Sequence, residues 1–373
     1  MRVIKDVDII KPDKILNSYD IKFSDKIIAI EKEIETNSEH QIIDGSGYYL
    51  SPGFIDLHMH GSFGIDIMSA GKEDLKEMAD GLTKAGTTSI LPTVMTASVK
   101  RMENAVKNIQ KVMKEENNII KGINLEGPLL NPTKAGAQDK RYMKALNLEL
   151  FDKYKEIIKI VTVAPEVEGA TALLNKLNSL NIVSAMGHTD ASYEESLQGF
   201  KKGISLVTHL FNGMKGIHHR EIGAAGAALL ENISTEIIVD GIHISRPMIE
   251  MILRLKKTDD LILITDAQPA ALYEGKEIQF NNRKVILKDG SARFEDGTLA
   301  GSVLSMQKAV KNMAEFTDLN IEEIIRMATL NPARKINIDS KIGSIETNKK
   351  ADLLLMDKKL NIKNVFKEGK QKI

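Results

Sequence analysis

The stretch Ser51-Pro52-Gly53-Phe54-Ile55-Asp56-Leu57-His58-Met59-His60-Gly61 decides how the chain is read. Its apolar run ends in two histidines one residue apart, and because side chains alternate along a strand, both point the same way and can grip one ion. With 8 histidines in 373 residues, such a pair arises by chance about 0.2 times, so its position carries more weight than the pattern. Working outward from residues 54–58, seven further short buried runs follow, at 88–93, 122–126, 160–164, 182–186, 206–209, 237–240 and 261–266. Each precedes a stretch rich in Lys, Glu, Leu and Ala, and the spacing of about 20 to 40 residues suits a βα unit. Eight units in series predict an α/β fold of the (β/α)8 TIM-like barrel type. An open doubly wound sheet is the alternative, but no Gly-rich phosphate fingerprint follows the first run.

Outside these units the period shortens. Residues 27–30, 41–43 and 48–50 near the start, and 341–345, 351–356 and 364–366 near the end, read as small strands without helices. They predict a small β-sandwich built from both termini, residues 1–50 with 343–373, around a catalytic barrel spanning 51–342.

Composition narrows the chemistry. Hydrophobic residues at 42% and charged residues at 27% are globular values. Lys and Arg number 51 and Asp and Glu 51, so no net field steers the chain to nucleic acid or an anionic membrane. The absence of Cys excludes disulfides, thiolate nucleophiles and Cys-type zinc sites, leaving His and carboxylates to hold any metal. The first thirty residues carry no apolar signal-peptide core, and no run approaches 18 apolar residues, so a cytoplasmic protein acting on a small molecule is expected.

Candidate ligands gather at the strand ends, where barrel enzymes place their chemistry. His58, His60, His188, His209 and His243 are five of the eight histidines, and Glu126 and Asp266 share their placement. Glu126, exposed at a turn by Gly127-Pro128, is able to bridge two ions. With His188 and His209 it makes a ligand set suited to Zn²⁺, Fe²⁺, Mn²⁺ or Co²⁺. Asp266 follows an apolar run, where a carboxylate is expensive without a partner, and reads as a proton carrier; helix capping is the bland alternative. Asp56 reads as a local brace. His40 has no site role, His218 and His219 read as solvated beside the anion fork Arg220, and Lys349, Lys350, Lys367, Lys370 and Lys372 read as a solvated tail.

Taken together, residues 52–61, Asn124-Leu125-Glu126-Gly127-Pro128, Gly187-His188-Thr189, residues 208–214, Asp240-Gly241-Ile242-His243, Thr265-Asp266-Ala267 and residues 297–302 resemble the N-acetylglucosamine-6-phosphate deacetylases of the amidohydrolase superfamily, across nearly the whole chain. The resemblance implies a usually dimeric, metal-dependent enzyme. It hydrolyses the acetamide of N-acetylglucosamine 6-phosphate to glucosamine 6-phosphate and acetate, in amino-sugar catabolism. Glu126, His188 and His209 match the common metal ligands, and His58 with His60 a second-metal site that only some members keep, giving one or two divalent ions per subunit. Asp266 matches the catalytic proton carrier. Asn212, Gly213, Arg220 and His243 match sugar-phosphate contacts, the last two reaching a neighbouring subunit's site. Ala137, Gln138, Asp240, Leu299, Ala300 and Gly301 match positions lining the sugar pocket. The 4-epimer, N-acetylgalactosamine 6-phosphate, is the alternative substrate. A cyclic-amide or purine amidohydrolase is less favoured, because no Lys stands at the end of the fourth run near Ala164-Pro165-Glu166, where such relatives often use a carboxylated Lys. A non-catalytic scaffold is disfavoured by the retained ligands.

One position departs from the common pattern. Many members carry His where this chain has Gln138, and Gln donates only a neutral hydrogen bond. A second ion at His58 and His60 would supply part of the missing carbonyl polarisation. The double variant His58→Gln/His60→Asn is therefore expected to lose turnover more than substrate binding, and an unchanged kcat would reject this compensation.

Overall fold

The computed structural model describes residues 1–143, 148–280, 283–288 and 290–373. The chain opens with β1 (Arg2–Ile10), β2 (Ile15–Phe23), β3 (Ile27–Glu31), β4 (Gln41–Asp44) and β5 (Tyr49–Pro52). Lys11-Pro12-Asp13-Lys14 turns β1 back onto β2, with the Lys11 N–H donating to the Lys14 carbonyl at 2.8 Å. Pro12 suits the second position of such a turn because its ring fixes φ.

The barrel begins at β6 (Phe54–Met59), which runs into a short ladder of β7 (Gly61–Ser62) against β8 (Ile65–Asp66). The remaining barrel strands are β9 (Thr87–Met95), β10 (Ile123–Glu126), β11 (Ile158–Val163), β12 (Val183–Met186), β13 (Ile204–Val207), β14 (Ser234–Ile237) and β15 (Leu261–Leu263). Each lies parallel beside the next in chain order. The sheet closes where Met59 bridges Ala267 and the Asp266 N–H donates to the His58 carbonyl at 2.9 Å. β6, β9, β10 and β15 are buried along their whole length, the sequence signature of parallel strands covered on both faces. The helices between them are amphipathic. Residues Val99–Met113 bury Met102, Ala105, Val106, Ile109 and Val112 along one stripe, and Tyr193–Lys201 starts at a capping box of Ser192 and Glu195.

Two readings shift. The seventh barrel strand is Ser234–Ile237, not 237–240. Ile238 and Val239 stay buried but leave the ladder, because the Asn312 amide takes the Val239 carbonyl at 2.7 Å in place of a neighbouring strand. Residues 341–345 form turns, not a strand: Ile342 packs into the barrel cluster and Ile345 into the terminal-sheet cluster, so their spacing reflects two separate cores. Sequence patterning also does not announce the antiparallel meander β16 (Glu277–Phe280), β17 (Arg283–Lys288) and β18 (Ser291–Phe294), inserted after the last barrel strand.

β19 (Leu353–Met356), β20 (Ile362–Lys367) and β21 (Lys370–Gln371) return to the start of the chain, and the terminal sheet runs β21-β20-β19-β5-β1-β2-β3, with β4 sharing an edge of β1. Its core includes Ile4, Val7, Ile21, Phe23, Leu353 and Phe366. Sheet and barrel meet at Gly53, whose N–H donates to the Asp352 carbonyl at 2.8 Å. A Cβ at Gly53 would lie 2.1 Å from the Thr88 hydroxyl, so only glycine lets β5 pass straight into β6.

Lys367 overturns the reading of a solvated tail. It is fully buried, and its ammonium sits 2.7 Å from the Asp352 carboxylate. Removing one member of a buried pair leaves the other poorly compensated, so Lys367→Met is expected to destabilise the chain by roughly 3 kcal/mol. Urea unfolding should show that loss, with partial recovery in Lys367→Met/Asp352→Leu.

Candidate metal centre and active site

Glu126 ends β10 at the centre of the barrel mouth, 1% exposed. Its Oε1 lies 2.9 Å from His188 Nε2, 3.1 Å from His209 Nε2 and 3.5 Å from His58 Nε2. Its Oε2 lies 3.6 Å from His60 Nε2 and accepts a short hydrogen bond from the Gln138 amide. Asp266 stands opposite, with Oδ1 3.0 Å from His60 Nε2 and 3.6 Å from His58 Nε2. The structure thus brings Glu126, His188, His209, His58, His60 and Asp266 to one place.

The backbone is bent to do this. His188, His209 and Asp266 have φ of +47°, +27° and +47°, a region that residues with a Cβ rarely occupy. Such strain, at three tips of one cluster, is the kind that functional sites hold in place. Asp56 braces the floor as expected: its carboxyl accepts the Thr265 hydroxyl at 2.5 Å and the His58 N–H at 3.2 Å. Burial pushes that carboxyl up to about 6 despite those bonds.

Electrostatics bind the cluster. Burial alone would raise the Glu126 carboxyl, but His188 and His58 beside it, with a hydrogen bond from His209, hold it well below the usual range. Asp266 is likewise buried, yet His60 and His58 hold it down to about 2. Conversely, burial opposes a charge on His58, and Glu126, Glu236 and Asp266 outweigh it, raising the imidazole to about 10. The carboxylates therefore demand positive charge where the imidazole nitrogens converge. Two overlapping groups, His58 with His60 and Asp266 and His58 with Glu126 and His209, each bring three ligand atoms within 4.8 Å of one another. His58 Nε2 is buried without a hydrogen-bond partner between Glu126 and Asp266. That orphaned donor atom, within an imidazole and carboxylate set, fits a divalent ion.

Above the cluster lies a cavity of about 220 Å³. Ala137, Gln138, Asn212, Gly213, Leu299 and Gly301 line it. Gly213 has φ of +56°, and a Cβ there would sit 2.9 Å from His188 Nδ1, so a side chain would displace that ring. Ala300 is fully buried behind the wall. Gln138 is more committed than its assignment suggests: its carbonyl takes the Thr96 N–H at 3.0 Å and one amide N–H goes to Glu126.

His243, assigned by resemblance to a neighbouring subunit's site, lines the cavity of its own chain, held by Asp240 through Nδ1 at 2.6 Å. Arg220 lies outside, exposed on a loop with its guanidinium 2.7 Å from His219 Nε2. Sequence reading missed Phe280, which descends from β16 to place its ring 5.9 Å from His60. It also missed Glu236, a fully buried residue of β14 that meets His58 Nδ1 at 3.2 Å. A correct register for the seventh strand was the one signal able to expose Glu236.

A barrel with imidazoles and carboxylates at its strand tips defines a metal-dependent hydrolase of the αβ-barrel class. The amidohydrolase family model matches residues 49–372, and the chain belongs to that family. It is 33% identical over 379 residues to an N-acetylglucosamine-6-phosphate deacetylase of Lysinibacillus sphaericus, covering 100% of this chain and 97% of the relative. It is 30% identical over 361 residues to an N-acetylgalactosamine-6-phosphate deacetylase of Escherichia coli O157:H7, covering 95% and 94%. The crystal structure of N-acetylglucosamine-6-phosphate deacetylase from Pasteurella multocida superposes with a TM-score of 0.95 at 30% identity, covering 99% of each chain.

The Asp240–His243 pair yields a pH test. Burial lowers His243, but the Asp240 hydrogen bond and charge raise it above the usual 6.5; burial raises Asp240, and His243 brings it below 3.8. The pair's contribution is complete between those two ordinary values. It fades as pH rises through the raised His243 value or falls through the lowered Asp240 value. Asp240→Asn is expected to move the His243 titration downward, followed by the NMR shift of its Hε1 proton; an unmoved midpoint would reject the pairing.

Proposed function

We propose that the chain is a deacetylase that hydrolyses the acetamide of N-acetylglucosamine 6-phosphate, yielding glucosamine 6-phosphate and acetate. The observation that carries this reading is Asp266, an ionised carboxylate that faces the cavity from within the imidazole and carboxylate cluster. Glu126, His188 and His209 would hold one divalent ion, and His58 with His60 a second. Zn²⁺, Fe²⁺, Mn²⁺ and Co²⁺ all suit this set. When bound, such an ion polarises the amide carbonyl and makes water more acidic, its pKa falling from ~15.7 toward ~7.

The chain's own residues move the proton and hold the substrate. As the water oxygen bonds to the acetyl carbon, Asp266 takes the released proton; as the C–N bond breaks, it passes that proton to the nitrogen, so the amine departs neutral. The remaining amide N–H of Gln138 is available to the developing oxyanion. Asn212, Gly213, Leu299 and Gly301 position the sugar, and His243, oriented by Asp240, donates to it. Among the described residues, those lining the cavity include no Lys or Arg, and the imidazoles of the cluster are committed to its carboxylates. The exposed Arg220 of a second copy supplies the cation for the phosphate, and the working form is a homodimer. The remote phosphate contributes binding energy that orients the acetamide. Nothing in this arrangement calls for nucleic acid or a membrane, and no helix among the described residues is long and apolar enough to cross one. A cytoplasmic sugar phosphate is the natural substrate.

Two competing readings differ in their support. The tip of β11 offers Thr162, Val163 and Ala164 and no Lys, which argues against a carboxylated-Lys enzyme for cyclic amides. The 4-epimer keeps a claim through the relative in Escherichia coli. The deciding experiment follows acetate release from N-acetylglucosamine 6-phosphate, its 4-epimer and the unphosphorylated sugar. Phosphate-dependent turnover is expected, faster with the gluco epimer and lower by about 10²–10⁴-fold in Asp266→Asn. Metal-loaded protein inert to every sugar phosphate would reject the proposal.

A further inference from the structure

Glu236 is a buried carboxylate that the reaction above does not use. It projects from β14 with no solvent exposure, and its Oε2 receives both the His58 Nδ1 atom at 3.2 Å and the His209 backbone N–H at 3.3 Å. Its Oε1 has no hydrogen-bond partner among the described residues. One oxygen atom thus ties together β6 and the tip that follows β13, two elements that are not neighbours in the barrel.

The back side of each imidazole differs. His188 Nδ1 meets the Lys134 carbonyl at 2.8 Å, while His60 Nδ1 and His209 Nδ1 are buried without hydrogen-bond partners among the described residues. His58 is the member of the four backed by a carboxylate. An imidazole that ligates an ion has given up one proton and keeps one N–H, which stays on the nitrogen hydrogen-bonded to an acceptor. With Glu236 behind Nδ1, the lone pair belongs to Nε2, which stands between Glu126 and Asp266 at 3.5 and 3.6 Å. A carboxylate in this relation also fixes the ring's orientation and raises its strength as a ligand.

We propose that Glu236 is a positioning residue for the second ion: it holds His58 with its proton on Nδ1 and turns Nε2 into the ligand, without touching ion or substrate. This rests on the two-ion reading of the centre. The dependence is selective, since among the described residues the Glu236 carboxylate pairs with the side chain of His58 and meets His209 through the backbone N–H.

Ion-free wild type, Glu236→Gln and Glu236→Leu would each be titrated with Zn²⁺ against a chromophoric chelator, with bound zinc counted by mass spectrometry and thermal melts of the ion-free chains checking the fold. Wild type is expected to take two ions. Both variants should bind the second about 10–100-fold more weakly while holding the first with unchanged affinity. In ¹⁵N-histidine spectra of the zinc-loaded wild type, His58 should show a protonated Nδ1, a signal lost in Glu236→Leu. On a His58→Gln background, replacing Glu236 should weaken the second ion no further. Should the leucine variant not fold, the nearly isosteric glutamine decides alone. Wild-type affinity for the second ion, or equal weakening of both, overturns the role of Glu236 and leaves the two-ion reading intact. A wild-type chain that binds a single ion overturns both together.

Discussion

Closure of the barrel is the constraint on which the rest depends. The last strand reaches the first through the Asp266 N–H on the His58 carbonyl and the Met59–Ala267 bridge. Asp56 reinforces the seam from below, accepting from Thr265 on one side and from the His58 N–H on the other. The same few hydrogen bonds that complete the sheet therefore place the Asp266 carboxylate against the paired histidines. A barrel that opened at this seam would lose its fold and its chemistry in one step, because Asp266 contributes a backbone donor to the first and a side chain to the second.

The centre itself is a balance of opposed charges in a place that would reject either alone. A buried carboxylate is costly without compensation, and Glu126 and Asp266 both lie where water is scarce. Four imidazoles offset them, which is why the two carboxyls stay low and His58 rises. The left-handed backbone at His188, His209 and Asp266 adds to the demand on the surrounding structure. Close packing answers it: at Gly213 there is no room for a side chain beside His188, and Thr162 and Thr208, whose hydroxyls lie 3.1 Å apart, support the strands below.

Much of this was legible in sequence because a barrel repeats one rule eight times. A short apolar run followed by a polar residue marks a strand tip, and Glu126, His188, His209 and the His58–His60 pair all announce themselves in that way. What escaped was whatever the rule does not govern. Glu236 precedes the apolar Ile237-Ile238-Val239, and only pairing distinguishes a strand that ends at Ile237 from one that begins there. Phe280 reaches the cavity on a meander inserted after the last strand, where no periodicity points to the site. Lys367 sits among exposed lysines in sequence and is buried because Asp352 arrives from fifteen residues away. In each case the missing information was a partner distant along the chain.

The division between strands and loops also separates chemistry from recognition. Every candidate ligand stands on a strand or its tip, whereas the cavity wall comes from loops and the inserted meander. Loops tolerate change that strands do not. On the proposed function a sugar's 4-hydroxyl would meet this wall, so its preferred configuration is free to drift while the centre stays fixed. That accounts for relatives named for the gluco and the galacto substrate at nearly the same identity to this chain, 33% and 30%. It also means that overall identity says little about epimer choice. Asn212, Leu299 and Phe280 belong to that wall, apart from the imidazoles of the centre.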